Sequence, residues 1–372
     1  MAEKSRKMQS QGIKVIKLDI GEPDFDTPSP IVNAAIQAMK QGKTHYTPSK
    51  GIPELRESIA NFYKEIFNVD INPENEIIIT PGSKFALYSA IQVLVDKGDE
   101  VIILTPAWPT YKSCVKLAGG KIVEVPCTNG YCLNEEKLKE AITNKTKLLI
   151  VNSPNNPTGG VLSPDNFKVI VDLSKDHNFY VLSDEIYRLL IYDGLKPFTV
   201  LSLSSVDDNL IIIDGFSKAW AMTGWRLGFA IASKEIIRYM NMLQQNAVTC
   251  PTSFVQYAGI AALMQSSEYV NFMIKEYDKR RKFLIKELNS IDGIKCEMPK
   301  GAFYVFPDIS ELKINAIDFA EKLLLKAHVC TVPGDFFGLG GGFHIRISYA
   351  TSMKNLEEGV HRIKSFIENE LK

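Results

Sequence analysis

Between Glu76 and Ala232 the chain repeats one pattern, a short unbroken apolar run followed by a stretch with helical periodicity. The runs are Glu76–Thr80, Val101–Leu104, Lys121–Val125, Leu148–Val151, Phe179–Leu182, Leu210–Ile213 and Leu227–Ile231. A strand with one wet face alternates apolar and polar residues. These runs do not alternate, so both of their faces are expected to be covered. Strands separated by helices achieve that cover in a parallel sheet. The pattern predicts an α/β fold whose large domain holds a mostly parallel seven-stranded sheet flanked by helices. Ser29-Pro30, Ile52-Pro53 and Ser163-Pro164 read as helix starts, with proline at the first helical position.

The C-terminal part reads differently. A long charged-and-apolar helical pattern spans Glu268–Asn289, and two strand-like runs follow, Ala302–Phe306 and Phe343–Ser348. They suggest a smaller α+β domain, which the N-terminal segment, too short to fold alone, is expected to join. With 372 residues the chain can bury two cores. The expected division is residues 30–275 for the large domain, and residues 1–29 with 276–372 for the small one.

Charge and cysteine usage exclude several classes. Lys and Arg number 43 and Asp and Glu 43, so no basic excess points to nucleic acid. No apolar run is long enough for a membrane span, and the N-terminus has no secretory pattern. The six cysteines form no Cys-x-x-Cys pair and read as reduced thiols of a cytoplasmic protein. The five histidines are scattered, so no metal site is expected.

Candidate chemistry sits just after the apolar runs, where an open α/β sheet binds its ligands. Lys218 follows Leu210–Ile213, with Arg226 eight residues on. A buried amine can lose its proton near neutral pH, which suits imine formation beside a phosphate anchor. Taken alone, a Ser-Lys pair is usually a loop with a solvated lysine. Asp184 follows Phe179–Leu182 and can face a ligand cation, with Tyr187 on the same helical face; the other reading is an acidic N-cap. The loop Asn152–Gly160 carries two prolines and two glycines, and holds Asn156 as a preorganised donor or simply makes a tight turn. Gly82, Ser83 and Lys84 precede the helical pattern Phe85–Val95, whose free N–H groups would hold a phosphate. Trp108 can stack on a flat ring or belong to the core. Arg346, between Ile345 and Ile347, matches a carboxylate better than apolar surroundings.

Together these segments resemble the class I/II, fold-type-I aminotransferases that use pyridoxal 5′-phosphate. The resemblance runs from Asp19–Phe25 through Tyr46–Arg56 to Arg346–Ala350, and the segment around Lys218 matches the family's attachment pattern throughout. It implies that Lys218 holds the cofactor as a Schiff base and then works as general base on the substrate's Cα proton. It implies that Asp184 pairs with the pyridine nitrogen, that Tyr187 and Asn156 donate to the phenolic oxygen, and that Trp108 stacks on the ring. The phosphate falls to Arg226 with Gly82, Ser83 and Lys84, and Ser217 is counted among the cofactor-binding residues. Tyr46 reaches the phosphate of a neighbouring subunit, which implies a homodimer with shared active sites. The substrate carboxylate falls to Arg346, helped by Gly21 and Asn156, beside Trp108.

Two departures stand out. Many relatives carry serine three residues before the lysine, where this chain has Gly215, so phosphate binding is expected to lean on Arg226. Few residues precede Asp19, so any N-terminal arm over the partner is expected to be reduced. The implied activity moves an amino group between an L-amino acid and a 2-oxo acid in a ping-pong cycle. Lys84 favours aspartate and glutamate with 2-oxoglutarate, because an aspartate-using branch places a lysine there against the distal carboxylate. It equally suits a lysine serving the phosphate or solvent. An aromatic or broad-specificity aminotransferase is the alternative, since a lysine stem packs on rings. A β-elimination lyase and a non-enzymatic regulatory domain are the remaining classes.

Overall fold

The computed structural model describes residues 1–264 and 266–371. Its central sheet contains β1 (Ile77–Thr80), β2 (Glu100–Thr105), β3 (Lys121–Pro126), β4 (Thr146–Asn152), β5 (Tyr180–Asp184), β6 (Leu210–Gly215) and β7 (Gly228–Ile231). Each of the apolar runs became one strand. The spatial order is β1-β7-β6-β5-β4-β2-β3. Strand β7 runs antiparallel to β1 and β6, and the other pairings are parallel.

The unbroken hydrophobicity has a direct structural use. Ile78, Val101, Ile103, Leu148, Ile150, Leu182, Ile211 and Ala230 face one apolar layer, with Ala86, Leu87 and Ile91 of helix Ser83–Leu94 and Ile237 and Met240 of helix Lys234–Ala247. Ile77, Ile79, Ile102, Leu149, Val181, Ile212 and Phe229 face the other, with Leu55 and Ile59 of helix Pro53–Phe67 and Phe167 and Ile170 of helix Pro164–His177. Edge strand β3 departs from the expected double cover. Lys121 is exposed there and most of its neighbours are half-buried.

Pro53 opens its helix after Ile52, and Ser163 caps the helix after it by accepting from Asn166 N while the Asn166 side chain returns the bond. The remaining start lies one residue earlier than expected: Pro28 is the cap, and Ser29 and Pro30 fill the first turn of Ser29–Lys40.

After the long helix Ser266–Leu288, strands Tyr304–Val305, Val332–Pro333 and Ile345–Ser348 form a small antiparallel sheet. Ile16–Lys17 pairs in parallel with Val329–Cys330. Ser348 N donates to Leu18 O at 2.8 Å, which lays Asp19–Gly21 beside Arg346. No helix among the described residues is long and apolar enough to cross a membrane.

Candidate active site

One cavity of about 650 Å³ opens at the carboxyl ends of β4, β5 and β6. Gly21, Ser83, Lys84, Trp108, Asn156, Asp184, Tyr187, Ser217, Lys218, Arg226 and Arg346 all line it. Gly82 lies just behind, against Arg226. Tyr46 stands outside the cavity and is 86% exposed.

Lys218 sits in the turn that follows β6. Its Nζ donates to Gly21 O at 2.6 Å and lies 5.8 Å from the ring centres of Tyr187 and Phe303. Burial pushes the amine down to about 8; the Glu22 carboxylate opposes that shift and the Arg346 guanidinium adds to it. Glu22 is held by the Thr223 hydroxyl at 3.1 Å.

Asp184 closes β5. Tyr111 OH donates to Oδ2 at 2.6 Å and Ile186 N to Oδ1 at 3.2 Å. Burial raises this carboxyl to about 6, and the two hydrogen bonds and Lys218 hold it from going higher. A turn follows rather than the expected helix, so Tyr187 reaches the cavity without sharing a helical face, and Asp184 caps nothing. The reason lies in the side chains beneath. Arg188 Nη1 pairs with Asp214 Oδ2 at 2.6 Å, and Glu185 Oε1 accepts Val200 N at 3.0 Å. Both side chains are pulled into the interior, and the backbone folds around them.

The loop after β4 is pinned at several points. Asn152 donates to Asp184 O and accepts Asn156 N, both at 2.9 Å. Asn155 Oδ1 accepts the Thr158 amide at 3.1 Å and its hydroxyl at 2.8 Å. Gly159 has φ +70, and a Cβ there would come within 2.8 Å of Tyr304 O, so glycine lets the loop reach the small sheet. Thus held, Asn156 Oδ1 accepts Arg346 Nη1 at 3.0 Å. Arg346 Nη2 donates to Asp19 O at 2.6 Å, while its buried Nε has no hydrogen-bond partner among the described residues.

An anion cradle completes the cavity. Helix Ser83–Leu94 starts after Gly82 (φ +84) without a side-chain cap, and the Ser83 and Lys84 N–H groups find no acceptor among the described residues. A Cβ on Gly82 would lie 2.5 Å from Arg226 Nη2, so glycine here admits the guanidinium across the helix start. The Gly215 departure also has a cause. A side chain there would overlap Ser83 Oγ, which donates to Asp214 O at 2.8 Å, and would meet Gly228 Cα at 2.8 Å. Trp108 stands edge-on to Tyr111 at 5.6 Å, and Lys84 Nζ lies 5.0 Å from the indole centre.

Tyr111, Tyr304 and Glu22 were not among the sequence candidates, although each lines the cavity. Tyr111 lies three residues beyond Trp108, and Glu22 directly follows Gly21. Either offset could have flagged it.

The family model described as aminotransferase class I and II matches residues 13–363. The aspartate aminotransferase of Pyrococcus horikoshii is 44% identical over 372 residues, 99% of this chain and 93% of that protein. The (5-formylfuran-3-yl)methyl phosphate transaminase of Methanocaldococcus jannaschii is 43% identical over 365 residues, 98% of this chain and 94% of that one. The crystal structure of an aromatic aminotransferase from Pyrococcus horikoshii superposes with a TM-score of 0.93 at 42% identity, covering 97% of this chain and 98% of that chain. With a fold, a cavity and a whole-length likeness that agree, the chain belongs to the class I and II aminotransferases, enzymes that use pyridoxal 5′-phosphate.

Proposed function

We propose that this aminotransferase works foremost on aspartate and glutamate, with 2-oxoglutarate as acceptor, in a homodimer whose active sites are shared. One observation carries the substrate reading. Lys84 Nζ projects at the cavity 5.0 Å from the Trp108 ring centre and makes no ion pair among the described residues. An unpaired cation at that place suits the distal carboxylate of a dicarboxylic substrate.

The residues present fit the cofactor. The uncapped helix start with Arg226 suits its phosphate. The Asp184 carboxyl, pushed up by burial, would regain its charge opposite a cationic ring nitrogen. Trp108 offers a flat face, Tyr187 and Asn156 offer donors, and Ser217 lies beside the attachment lysine. When bound, pyridoxal phosphate supplies an electron sink for the pair released from the substrate's Cα–H bond.

The chain's own groups do the rest. Lys218 Nζ is the amine that attaches the cofactor. Freed by substrate, it takes the Cα proton and later returns a proton. In the cofactor-free chain burial lowers this amine to about 8, which eases the loss of its proton near neutral pH. Arg346 holds the α-carboxylate with Asn156 and Gly21 beside it. Together with the phosphate anchor it fixes the direction of the Cα–H bond.

The exposed Tyr46 supports the dimer, since an aromatic side chain on the surface suits a role in the neighbouring site. The same proposal divides the chain into residues 30–275 and residues 1–29 with 276–372, supported by the pairing of Ile16–Lys17 with Val329–Cys330. It also places the protein in the cytoplasm, supported by free thiols at all six cysteines.

An aromatic or broad specificity is the second reading, favoured by the Trp108, Tyr187 and Tyr304 rings in the cavity. Lys84→Met separates the two. It is expected to raise the KM for aspartate roughly tenfold or more, and to leave an apolar amino acid little changed. Equal effects on both donors would remove the acidic-substrate reading. Borohydride reduction and peptide mapping are expected to find the cofactor on Lys218, and a label on another lysine would end the assignment.

A further inference from the structure

Tyr304 is 1% exposed, and its hydroxyl lies 2.8 Å from that of Tyr187. Neither hydroxyl makes another hydrogen bond among the described residues. Each phenol carries one proton, so one of the two protons occupies the contact and the other points elsewhere. The role of Tyr187 decides which. If the Tyr187 proton goes to the cofactor's phenolic oxygen, only the Tyr304 proton remains for the contact, so Tyr304 donates and the Tyr187 oxygen accepts. The Arg346 guanidinium stands 4.6 Å from the Tyr304 ring centre. Tyr304 is also closely fitted on its other side, since a Cβ on Gly21 would come within 2.5 Å of its oxygen.

We propose that Tyr304 is a positioning residue: it donates to the Tyr187 oxygen and so turns the Tyr187 proton toward the cofactor's phenolic oxygen, while its ring fixes the plane of the Arg346 guanidinium. The proposal rests on the reading of Tyr187 as a donor to that oxygen. One buried side chain then serves both halves of the cavity, the cofactor half through its hydroxyl and the carboxylate half through its face.

The test is the pH titration of the visible absorption band of the protein loaded with pyridoxal phosphate, in the parent, Tyr187→Phe, Tyr304→Phe and the double variant. Phenylalanine at 304 keeps the ring and its packing. The charged groups around Lys218 (Glu22, Arg346, Asp184 and Arg226) are unaltered in every variant. Losing a donor to the phenolic oxygen favours the protonated chromophore. Tyr187→Phe is therefore expected to raise the midpoint by about one pH unit, and Tyr304→Phe by about half a unit. The double variant is expected to titrate with Tyr187→Phe alone, because Tyr304 acts through the hydroxyl already removed. A merely structural role would leave the midpoint in place. An unmoved midpoint in Tyr304→Phe beside a raised one in Tyr187→Phe overturns the proposal and spares the reading of Tyr187. An unmoved midpoint in Tyr187→Phe overturns both, and additive shifts overturn the relay. For the ring, Tyr304→Leu is expected to raise the KM of the amino acid about tenfold beyond Tyr304→Phe, and equal KM values overturn that part.

Discussion

Arg346 Nη1 donates to Asn156 Oδ1 across 3.0 Å, joining strand Ile345–Ser348 to the loop after β4. With Nη2 on Asp19 O and Nε without a partner among the described residues, the guanidinium is steered from two sides and still has donors to offer. Arg346→Lys keeps the charge and loses the fork. Its kcat/KM is expected to fall by about two to three orders of magnitude, mostly through KM for both amino acid and oxo acid. Asn156→Ala, which removes one steering contact and one donor, is expected to cost about tenfold. Steady-state kinetics on both half-reactions would check this, and a lysine variant with parental KM would remove Arg346 from substrate binding.

Gly215→Ser is expected to weaken the cofactor site. The added side chain overlaps Ser83 Oγ and meets the backbone at Gly228 Cα, 2.8 Å, and Leu227 O, 3.0 Å. The contacts with backbone cannot be relieved by a rotamer change. Stability is expected to drop by about 2 kcal/mol or more, and the cofactor to bind at least roughly tenfold more weakly. Retention of the visible band through dialysis reads this directly. Tighter retention would show that Ser83 yields its place without cost.

The strands were legible because burial on both faces leaves a contiguous trace, as in Leu210–Ile213. Their spatial order leaves none. That β1 lies beyond β7 follows from how the crossovers pack, and edge strand β3 reads as apolar though most of it is only half-buried. In the site, Lys218 and Asp184 stood out because each is a charged residue within a few positions of the end of an apolar run. Tyr111 and Tyr304 did not, because a tyrosine in an apolar segment reads as core. Their hydroxyl partners lie 73 and 117 residues away along the chain, a relation only the folded molecule holds. The helical face expected for Asp184 and Tyr187 failed for a similar reason, since the ion pair that bends the turn joins Arg188 to distant Asp214.

Asp184→Asn is expected to change stability and activity in opposite directions. In the cofactor-free protein burial raises this carboxyl from an ordinary 3.8 to about 6. Between those values the folded chain binds more protons than the unfolded one. Stability contributed by the neutral acid is complete below the lower value and is lost as pH rises through the upper one. The loss is at most roughly 3 kcal/mol at neutral pH. The asparagine variant avoids it, so its cofactor-free melting temperature is expected to exceed the parent's at pH 7 by a few degrees, with the difference vanishing near pH 4. Its transaminase activity is expected to fall by about a hundredfold or more, because the ring nitrogen loses its counter-charge. Thermal melts at the two pH values would decide, and a variant less stable at pH 7 would refute the account.

Glu124 ties the far edge of the large sheet to the small one. It accepts Lys112 Nζ at 2.7 Å and Leu339 N at 2.9 Å, and two residues earlier Phe337 O accepts Ala107 N at 2.8 Å, next to Trp108. Phe337 is 1% exposed and lies 5.3 Å beneath the Arg346 guanidinium. Glu124→Ala therefore loosens the packing under the Arg346 guanidinium without removing a cavity-lining side chain. It is expected to raise the KM of the amino donor by about three- to tenfold, with a smaller effect on kcat. Gly338→Ala tests the same docking from the other side. Gly338 has φ +96, and a Cβ there would lie 2.6 Å from Lys112 Nζ and overlap Glu124 Oε2, so backbone strain and a split ion pair arrive together. The same KM rise is expected, with a stability loss of about 1–3 kcal/mol. If Glu124→Ala keeps the parental KM while Gly338→Ala is merely less stable, the loop shapes the fold and not the placement of Arg346.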